Sequence, residues 1–387
     1  MRAIVIGGGV GGATAALALR RIGVDVTVYE AYEDPAGDVG AWISLAANGL
    51  RAVDALGGLA AVRAAGFEIE RQRMWSAGGM LIGDVARGRR ASDTLHSVSM
   101  LRGRLVATLR AAATEAGATI VTGARLGHVE ETGTGVLATF EGGRTDTADV
   151  LVAADGLWST VRAHLDPAAP LPQYAGLFSV SGVSQLDGVD PGVFNLTFAR
   201  NGAFLHLRAG AEVWWSAQVS SPVTPARRGI DDATRLQELS RLYCDEAVPA
   251  AILAATTSLQ PTTIMHVLDP VTTWHSDRIV IIGDAAHPVG AGQGASMAIE
   301  DALALAAALQ AAPSVAEALR RYDADRRPRI TKVLGTAEDN RNAKRSGPLK
   351  RRLQAAMMRI FVPMVYEKAT AWLYAYEPAK LAAPDRR

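Results

Sequence analysis

The sequence predicts an α/β fold: a Rossmann-like dinucleotide-binding domain, an inserted and mostly antiparallel β-sheet domain, and helices at the C-terminal end. Three observations predict it. A glycine fingerprint opens the chain in "RAIVIGGGVGGATAALALRRIGVDVTVYEA"; helical periodicity gives way to strand-like runs between about residues 170 and 269; and an α/β pattern returns at "DRIVIIGDAAH". A chain of 387 residues exceeds one small core, and its 49% hydrophobic content with 38 glycines fits a globular protein. Forty basic residues against 39 acidic ones leave a net charge of +1, which argues against nucleic acid or an anionic membrane as partner. A single cysteine, Cys244, excludes an internal disulfide and fits a reducing cytoplasm. "MRAIVIGGG" lacks the pattern of a signal peptide, and the most apolar helical run, Ala302 to Leu309, is far short of a bilayer span, so no integral membrane segment is expected.

The first element is a buried parallel strand, Ala3 to Ile6. Gly7, Gly9 and Gly12 then match GxGxxG, and a helix runs from about Gly11 to Ile22, where Gly23 stops it. "VDVTVYE" is the second strand, and Glu30 ends it, 18 positions after Gly12. Glycines let the backbone turn tightly and approach a pyrophosphate; the helix N-terminus offers free N–H groups; the carboxylate accepts bonds from ribose hydroxyls. Glu30 would repel a 2′-phosphate, so this cradle suits FAD or NAD rather than NADP.

Arg102 stands just before an amphipathic helix that ends near Gly117, and a strand pair follows in "ATIVTGARLGHVEET" and "GVLATFEGG". Asp155 and Gly156 lie at the end of the apolar strand in "ADVLVAADG". The inserted sheet is read from "GLFSVSGVS", "GVFNLTFAR", "AFLHLRAG" and "EVWWSAQVS", with one helix at Ala233 to Cys244. By period two, Phe204, His206 and Arg208 share a strand face; Trp215 and Ala217 share another, with Trp214 and Ser216 opposite. Either set could line a substrate pocket, with His206, Arg208 and Trp215 the candidates, the alternative being that both Trp residues pack the sheet while His206 and Arg208 face solvent. A second glycine-dense strand-to-helix loop, "GDAAHPVGAGQGASMAIEDA", carries Asp284 and starts a helix near Gly294. The seven His are scattered without metal-ligand spacing, so no metal site is expected; His287 is expected to be structural and Cys244 a small buried hydrophobe.

Together, the fingerprint with Glu30, "ADGLWSTVR" and "GDAAHP…GQGASMAIEDA" resemble the class A flavin monooxygenases, the para-hydroxybenzoate hydroxylase-like family of FAD-dependent aromatic hydroxylases, from residue 1 to about 335. Chain length and "YAGLFSVSGV" are most similar to urate hydroxylase and salicylate hydroxylase-like members. The resemblance implies a tightly but non-covalently bound FAD. Gly9, Gly11 and Gly12 would form its first phosphate loop, Glu30 with Ala31 beside it would hold the adenosine ribose, and Leu126 would meet the adenine through its main chain. Ser44 in "GAWISL" would pass beside the flavin, and Arg102 in "RGRL" would reach the phosphates or ribitol. Asp155 belongs to the motif linked to both FAD and the nicotinamide donor, Asp284 would bind the ribitol, and Gly292, Gln293, Gly294, Ala295 and Ser296 would surround the flavin's pyrimidine end. This explains two cradles in one chain: FAD is long, and one loop cannot hold both its ends.

The implied chemistry uses NAD(P)H as a transient donor and O₂, through a flavin C4a-hydroperoxide, to hydroxylate a small aromatic or heteroaromatic substrate with no fixed catalytic residue. A flavin oxidase or reductase on the same fold, without oxygen insertion, and a non-catalytic flavoprotein are the other readings. The division implied is 1–72, 97–170 and 268–335 for FAD, 73–96 and 171–267 for substrate, and 336–387 as a helical segment that packs on the core, with a dimer contact or membrane-surface helix as alternatives; the protein would be a monomer or homodimer. Two departures stand out. Where urate hydroxylase-like members carry Arg and Tyr, Ala203 and Trp215 stand here, implying a more apolar or larger substrate. The segment Pro288 to Gly292 is shorter and poorer in proline than is usual in the family.

Overall fold

The strand Arg2–Ile6 is buried along nearly its whole length and pairs in parallel on both sides, with Asp25–Tyr29 and with Val150–Ala153. An unbroken apolar run fits such a central strand, because helices or further chain cover both of its faces. Thr119–Val121 and Ile279–Ile281 complete a five-stranded parallel sheet in the computed structural model, which describes residues 1–33, 41–225, 230–289, 292–344 and 365–382. The expected strand pair after Gly117 is therefore split. Thr119–Val121 joins the parallel sheet, while Leu126–Glu131 pairs antiparallel with Val136–Phe140, itself flanked by Thr145–Ala148.

Helix Val10–Arg21 follows the first strand and packs against helices Arg102–Glu115 and Gly294–Ala311. Two glycines make this closeness feasible. Gly7 has φ +91°, and a Cβ there would lie 2.4 Å from the Ala154 carbonyl oxygen; a Cβ on Gly12 would lie 1.8 Å from the Gly7 oxygen.

The second layer is an eight-stranded sheet, antiparallel throughout except where Val193–Phe198 runs parallel to Arg71–Ser76. Its long members are Gln173–Ser184, Glu212–Ser220 and Gly202–Ala209. Two helices cover one face, Asp232–Leu242 and Ala247–Ala254, where the sequence reading places one. The second escapes a periodicity search because it is short, apolar all round and carries Pro249, which is tolerated in a first turn. Phe178, Val180, Phe204, Trp215 and Ala217 pack beneath these helices against Leu239, Tyr243, Ile252 and Leu253. The first helix stops at Leu242, Tyr243 takes the buried position, and Cys244 is exposed in the following turn rather than buried.

A buried ionic cluster joins the two long C-terminal helices to the sheet. Asp301, on Gly294–Ala311, accepts from the Gly283 amide (3.0 Å), His287 Nε2 (2.7 Å) and Arg326 Nε (2.8 Å). Its neighbour Glu300 accepts from Arg326, Arg329 and Asn48. Arg326 and Arg329 lie on Val315–Lys344, and Arg329 also donates to the carbonyls of Trp372 and Leu373, tying the helical stretch 365–374 to the core. Two carboxylates face two guanidiniums, so these four charges balance. His287 and Arg326 hold the Asp301 carboxyl well below the usual range, against its burial. Removing one partner strands a buried charge. Arg326→Met is therefore expected to lower the unfolding free energy by about 3–5 kcal/mol, read by urea unfolding at neutral pH; an unchanged midpoint contradicts it. Because the Asp301 pKa is depressed on folding, its contribution is present above the unfolded value and fades as pH falls below about 4.

Candidate active site

The parallel sheet and the large sheet enclose one continuous cleft of about 1170 Å³. Two helix N-termini open into it. Val10–Arg21 starts after Gly9 and Gly294–Ala311 after Gln293, and neither has a side-chain cap, so their first N–H groups have no intrahelical partner. Gly9, Gly11, Gly292, Gln293, Gly294 and Ala295 line the cleft. A Cβ on Gly9 would find only Arg102 Nη2, at 4.0 Å, so the space above the first loop is open.

Asp284 lies in the 3₁₀ turn Gly283–Ala285, which the Asp301 cluster fixes from behind. Its carboxylate is far below the molecular surface yet exposed to the cleft. That depth raises its pKa, while His287 and Arg102 pull it down. Arg102, at the start of its helix, lines the same cavity, as does Ser44. At the far side of the first loop, Glu30 is buried and accepts from the Gly8 amide (2.7 Å) and the Tyr32 amide (3.0 Å). Its Oε2 also accepts from Arg110 Nη2 (3.5 Å), so the spare lone pair is on Oε1. Glu30 also bonds through its backbone to Val121 and Ala124, which brings the segment leading to Leu126 alongside Glu30 and Ala31.

Asp155 plays a different part in the geometry. One oxygen accepts from the amides of Thr160 (2.9 Å) and Val161 (3.2 Å), capping the helix Thr160–Leu165 together with Ser159, and burial raises its pKa. Its neighbours Ala154, Gly156 and Leu157 form the cleft wall. Gly12 packs on Gly7, and Ser296 is buried with its hydroxyl unpartnered among the described residues. Within the shortened segment, Gly290 and Ala291 lie outside the described residues.

The substrate-pocket candidates fall on the wrong face. His206 and Trp215 are directly opposed in the antiparallel register, so they share a face, and that face is the one the two helices cover. Trp215 is fully buried and stacked on Phe204. His206 is buried, and desolvation pushes its pKa down to about 4, keeping it neutral. Arg208 donates to the carbonyls of Gly210 and Leu186, holding a turn. The other parity meets the cleft: Leu205, Ser216 and Gln218, joined by Gln72, Met74, Ile82, Ser179, Phe194, Leu196 and Phe198. Ala203 pairs with Gln218 and follows that parity. The polar spots Ser179, Ser216 and Gln218 within apolar strands are the signal that marks the inward face. Sequence reasoning also missed Arg87, Tyr366 and Tyr374, which complete the chamber. His266 and Asp284 are the other acid–base groups on the wall besides Arg102.

The cradle, its open space and its two donor-rich ends fit a long dinucleotide. The FAD-binding-domain family matches residues 1–337. The chain is 31% identical over 331 residues to an aurachin C monooxygenase/isomerase of Stigmatella aurantiaca, covering 84% of each chain. It is 30% identical over 351 residues to an FAD-dependent urate hydroxylase of Klebsiella pneumoniae subsp. pneumoniae, covering 86% of this chain and 88% of that one. The crystal structure of Klebsiella pneumoniae HpxO with FAD and uric acid superposes with a TM-score of 0.84 at 24% identity, over 97% of both chains. The chain belongs to the FAD-binding family, among the class A FAD-dependent aromatic monooxygenases, and FAD is its cofactor.

Proposed function

We propose that this enzyme consumes NAD(P)H and O₂ to hydroxylate a small aromatic or heteroaromatic compound in the cytoplasm. The observation that carries this reading is the single cleft that joins the cofactor cradle to an apolar chamber with a few fixed polar groups. FAD supplies the redox and oxygen chemistry when bound. The chain's own residues would do the rest. The N-terminus of Val10–Arg21 and Arg102 would hold the phosphates, Glu30 and the 121–126 segment the adenosine end, and Asp284 a ribitol hydroxyl. The N–H groups at Gln293 to Ala295 would face the flavin's pyrimidine end, where their dipole favours negative charge by about 0.3–1 kcal/mol. Met74, Ile82, Leu196 and Phe198 would exclude water around the ring of the substrate. On this reading the division 1–72, 97–170 and 268–335 against 73–96 and 171–267 separates cofactor from substrate contacts, save that Gln72, on the strand Arg71–Ser76, and Tyr366 and Tyr374 of the C-terminal segment would join the substrate side.

Two outcomes follow. Asp284→Ala is expected to release FAD, read as flavin absorbance per protein after gel filtration. Because depth raises the pKa of this carboxyl, its ionisation destabilises the fold once pH exceeds about 4. The flavin-free variant should therefore withstand more urea than flavin-free wild type at neutral pH, and no more at pH 3; retention of FAD would remove the ribitol role. Stopped-flow reduction by NADH or NADPH should accelerate with one member of a panel of phenolic acids, purines and quinolones, with less peroxide formed than nicotinamide oxidised and ¹⁸O from O₂ in the product. Peroxide matching nicotinamide for every ligand would make the enzyme an oxidase or reductase.

A further inference from the structure

We propose that Arg87 is an anion anchor in the chamber, so that the ring compound accepted there carries a carboxylate or an equivalent acidic group; calling that compound the substrate rests on the hydroxylase reading above. Arg87 follows the strand Leu81–Ala86 at the junction of the two layers. Its place is fixed by its surroundings. Ser97 Oγ donates to the Arg87 carbonyl at 2.7 Å, and at Gly88 a Cβ would come within 2.4 Å of Ser97 Oγ and 3.0 Å of Ala46 Cβ. The guanidinium carbon sits 3.8 Å from the centre of the Phe194 ring, and Nη1 donates to Gln72 Oε1. Phe194, Gln72 and Arg87 all line the cleft.

What this cation lacks is a counter-ion. Nearby arginines are held differently: Arg71 and Arg73 pair with Asp84 and Arg90 with Asp93, while Arg89 donates to the carbonyls of Arg90, Ala91 and Asp93. Among the described residues no carboxylate pairs with Arg87, and the ionisable groups facing it are the phenols of Tyr366 and Tyr374. Residues 345–364, which lead into the stretch bearing those tyrosines, contain no Asp or Glu. A guanidinium stays charged even at such depth. It presents five N–H donors in a planar fork, of which, among the described residues, one meets a neutral amide. Leaving the others in a low-dielectric chamber is costly unless an anion arrives to meet them. A carboxylate matches that fork with two parallel bonds. The surrounding wall is apolar: Met74 and Ile82 cluster with Leu196, Phe198 and Tyr366. An aromatic ring would lie against this wall with its acidic substituent at Arg87.

The test is a binding titration of the FAD-loaded enzyme, followed by perturbation of the flavin spectrum at pH 8, with matched acids and amides: salicylate and salicylamide, anthranilate and anthranilamide, quinaldate and quinaldamide. At least one acid should bind about 10-fold or more tightly than its amide, in line with a charge-assisted bidentate pair. R87M should abolish that preference without weakening the amide, and R87K should retain part of it. FAD content and unfolding midpoint check that each variant folds, with R87Q replacing R87M if the latter does not. Acids and amides binding alike, no acid perturbing the flavin, or a preference that survives R87M would each overturn the assignment. Loss of FAD from R87M would give Arg87 to the cofactor instead. Because the readout is binding alone, an acid preference without oxygen transfer would keep the anchor and refute only the hydroxylase reading.

Discussion

The carboxylate of Asp301 is the point on which the second half of the cleft depends. It sits about two turns inside a helix, yet it reaches back to the Gly283 amide and to His287, both on the turn that precedes that helix. The turn and the helix thus share one rigid frame, and Asp284, next to the anchored amide, is aimed into the cleft by it. Arg326 is the neutralising partner from the following helix. Without it Arg329 would be, among the described residues, the one guanidinium left facing two adjacent carboxylates, Glu300 and Asp301, both fully removed from solvent. His287 contributes a further donor: its Nε2–H meets Asp301, and Trp274 covers its ring.

The two ends of the cleft are built by the same device from different materials. At the first loop, glycines bring the helix so close to the strand that backbone meets backbone, and Glu30 pins the loop by accepting from Gly8. At the second, side-chain ions do the pinning, and the glycines Gly292 and Gly294 leave the approach to the helix end unobstructed; a Cβ on Gly294 would meet only Asp284 Oδ1, at 3.6 Å. Both present uncapped N–H groups to one cavity. A ligand with two polar ends and a long middle satisfies both at once, whereas a short anion would leave one end unsatisfied.

The cofactor half of this arrangement was legible in the sequence because its constraints are local. A turn that only glycine can make, an acidic residue at the end of the second strand, and a strand-to-helix loop each leave a fixed pattern within about thirty residues. The chamber was not legible in the same way. Alternation along Gly202–Ala209 and Glu212–Ser220 divides residues into two sets but does not say which set faces inward. That depends on the helix pair 232–254, distant in sequence, and one of its members has no amphipathic signature. Trp215 and His206 look more chemical than Ser216 and Gln218, and that appearance misleads: the aromatic parity packs against helices. Burial along the charged segment Tyr322 to Ile330 likewise depends on what packs against it. Arg327 pairs with Asp323 near the surface while Arg326 is buried, and one position along a helix, about 100° of rotation, separates the two fates.

Arg326 and Arg87 show how the fold treats a cation far from water in two opposite ways. Both lie deep in the protein and both contact aromatic rings, Arg326 near Tyr376 and Arg87 over Phe194. Around Arg326 the acids supply full compensation, and depth is overcome: Asp301 and Glu300 hold its pKa above the ordinary value. Around Arg87, among the described residues, only the phenols of Tyr366 and Tyr374 oppose the depth, and its pKa is lowered. Arg162, as buried as Arg326, is instead held by the carbonyls of Ala285 and Leu157, whereas Arg87 has its side chain on the cleft wall. Placing an acid beside Arg87 would have been within reach, since Asp84 and Asp93 lie three and six positions away and serve neighbouring arginines instead. The charge at Arg87 is therefore left for whatever enters the chamber, and the apolar wall beside it limits that visitor to a ring with an acidic edge.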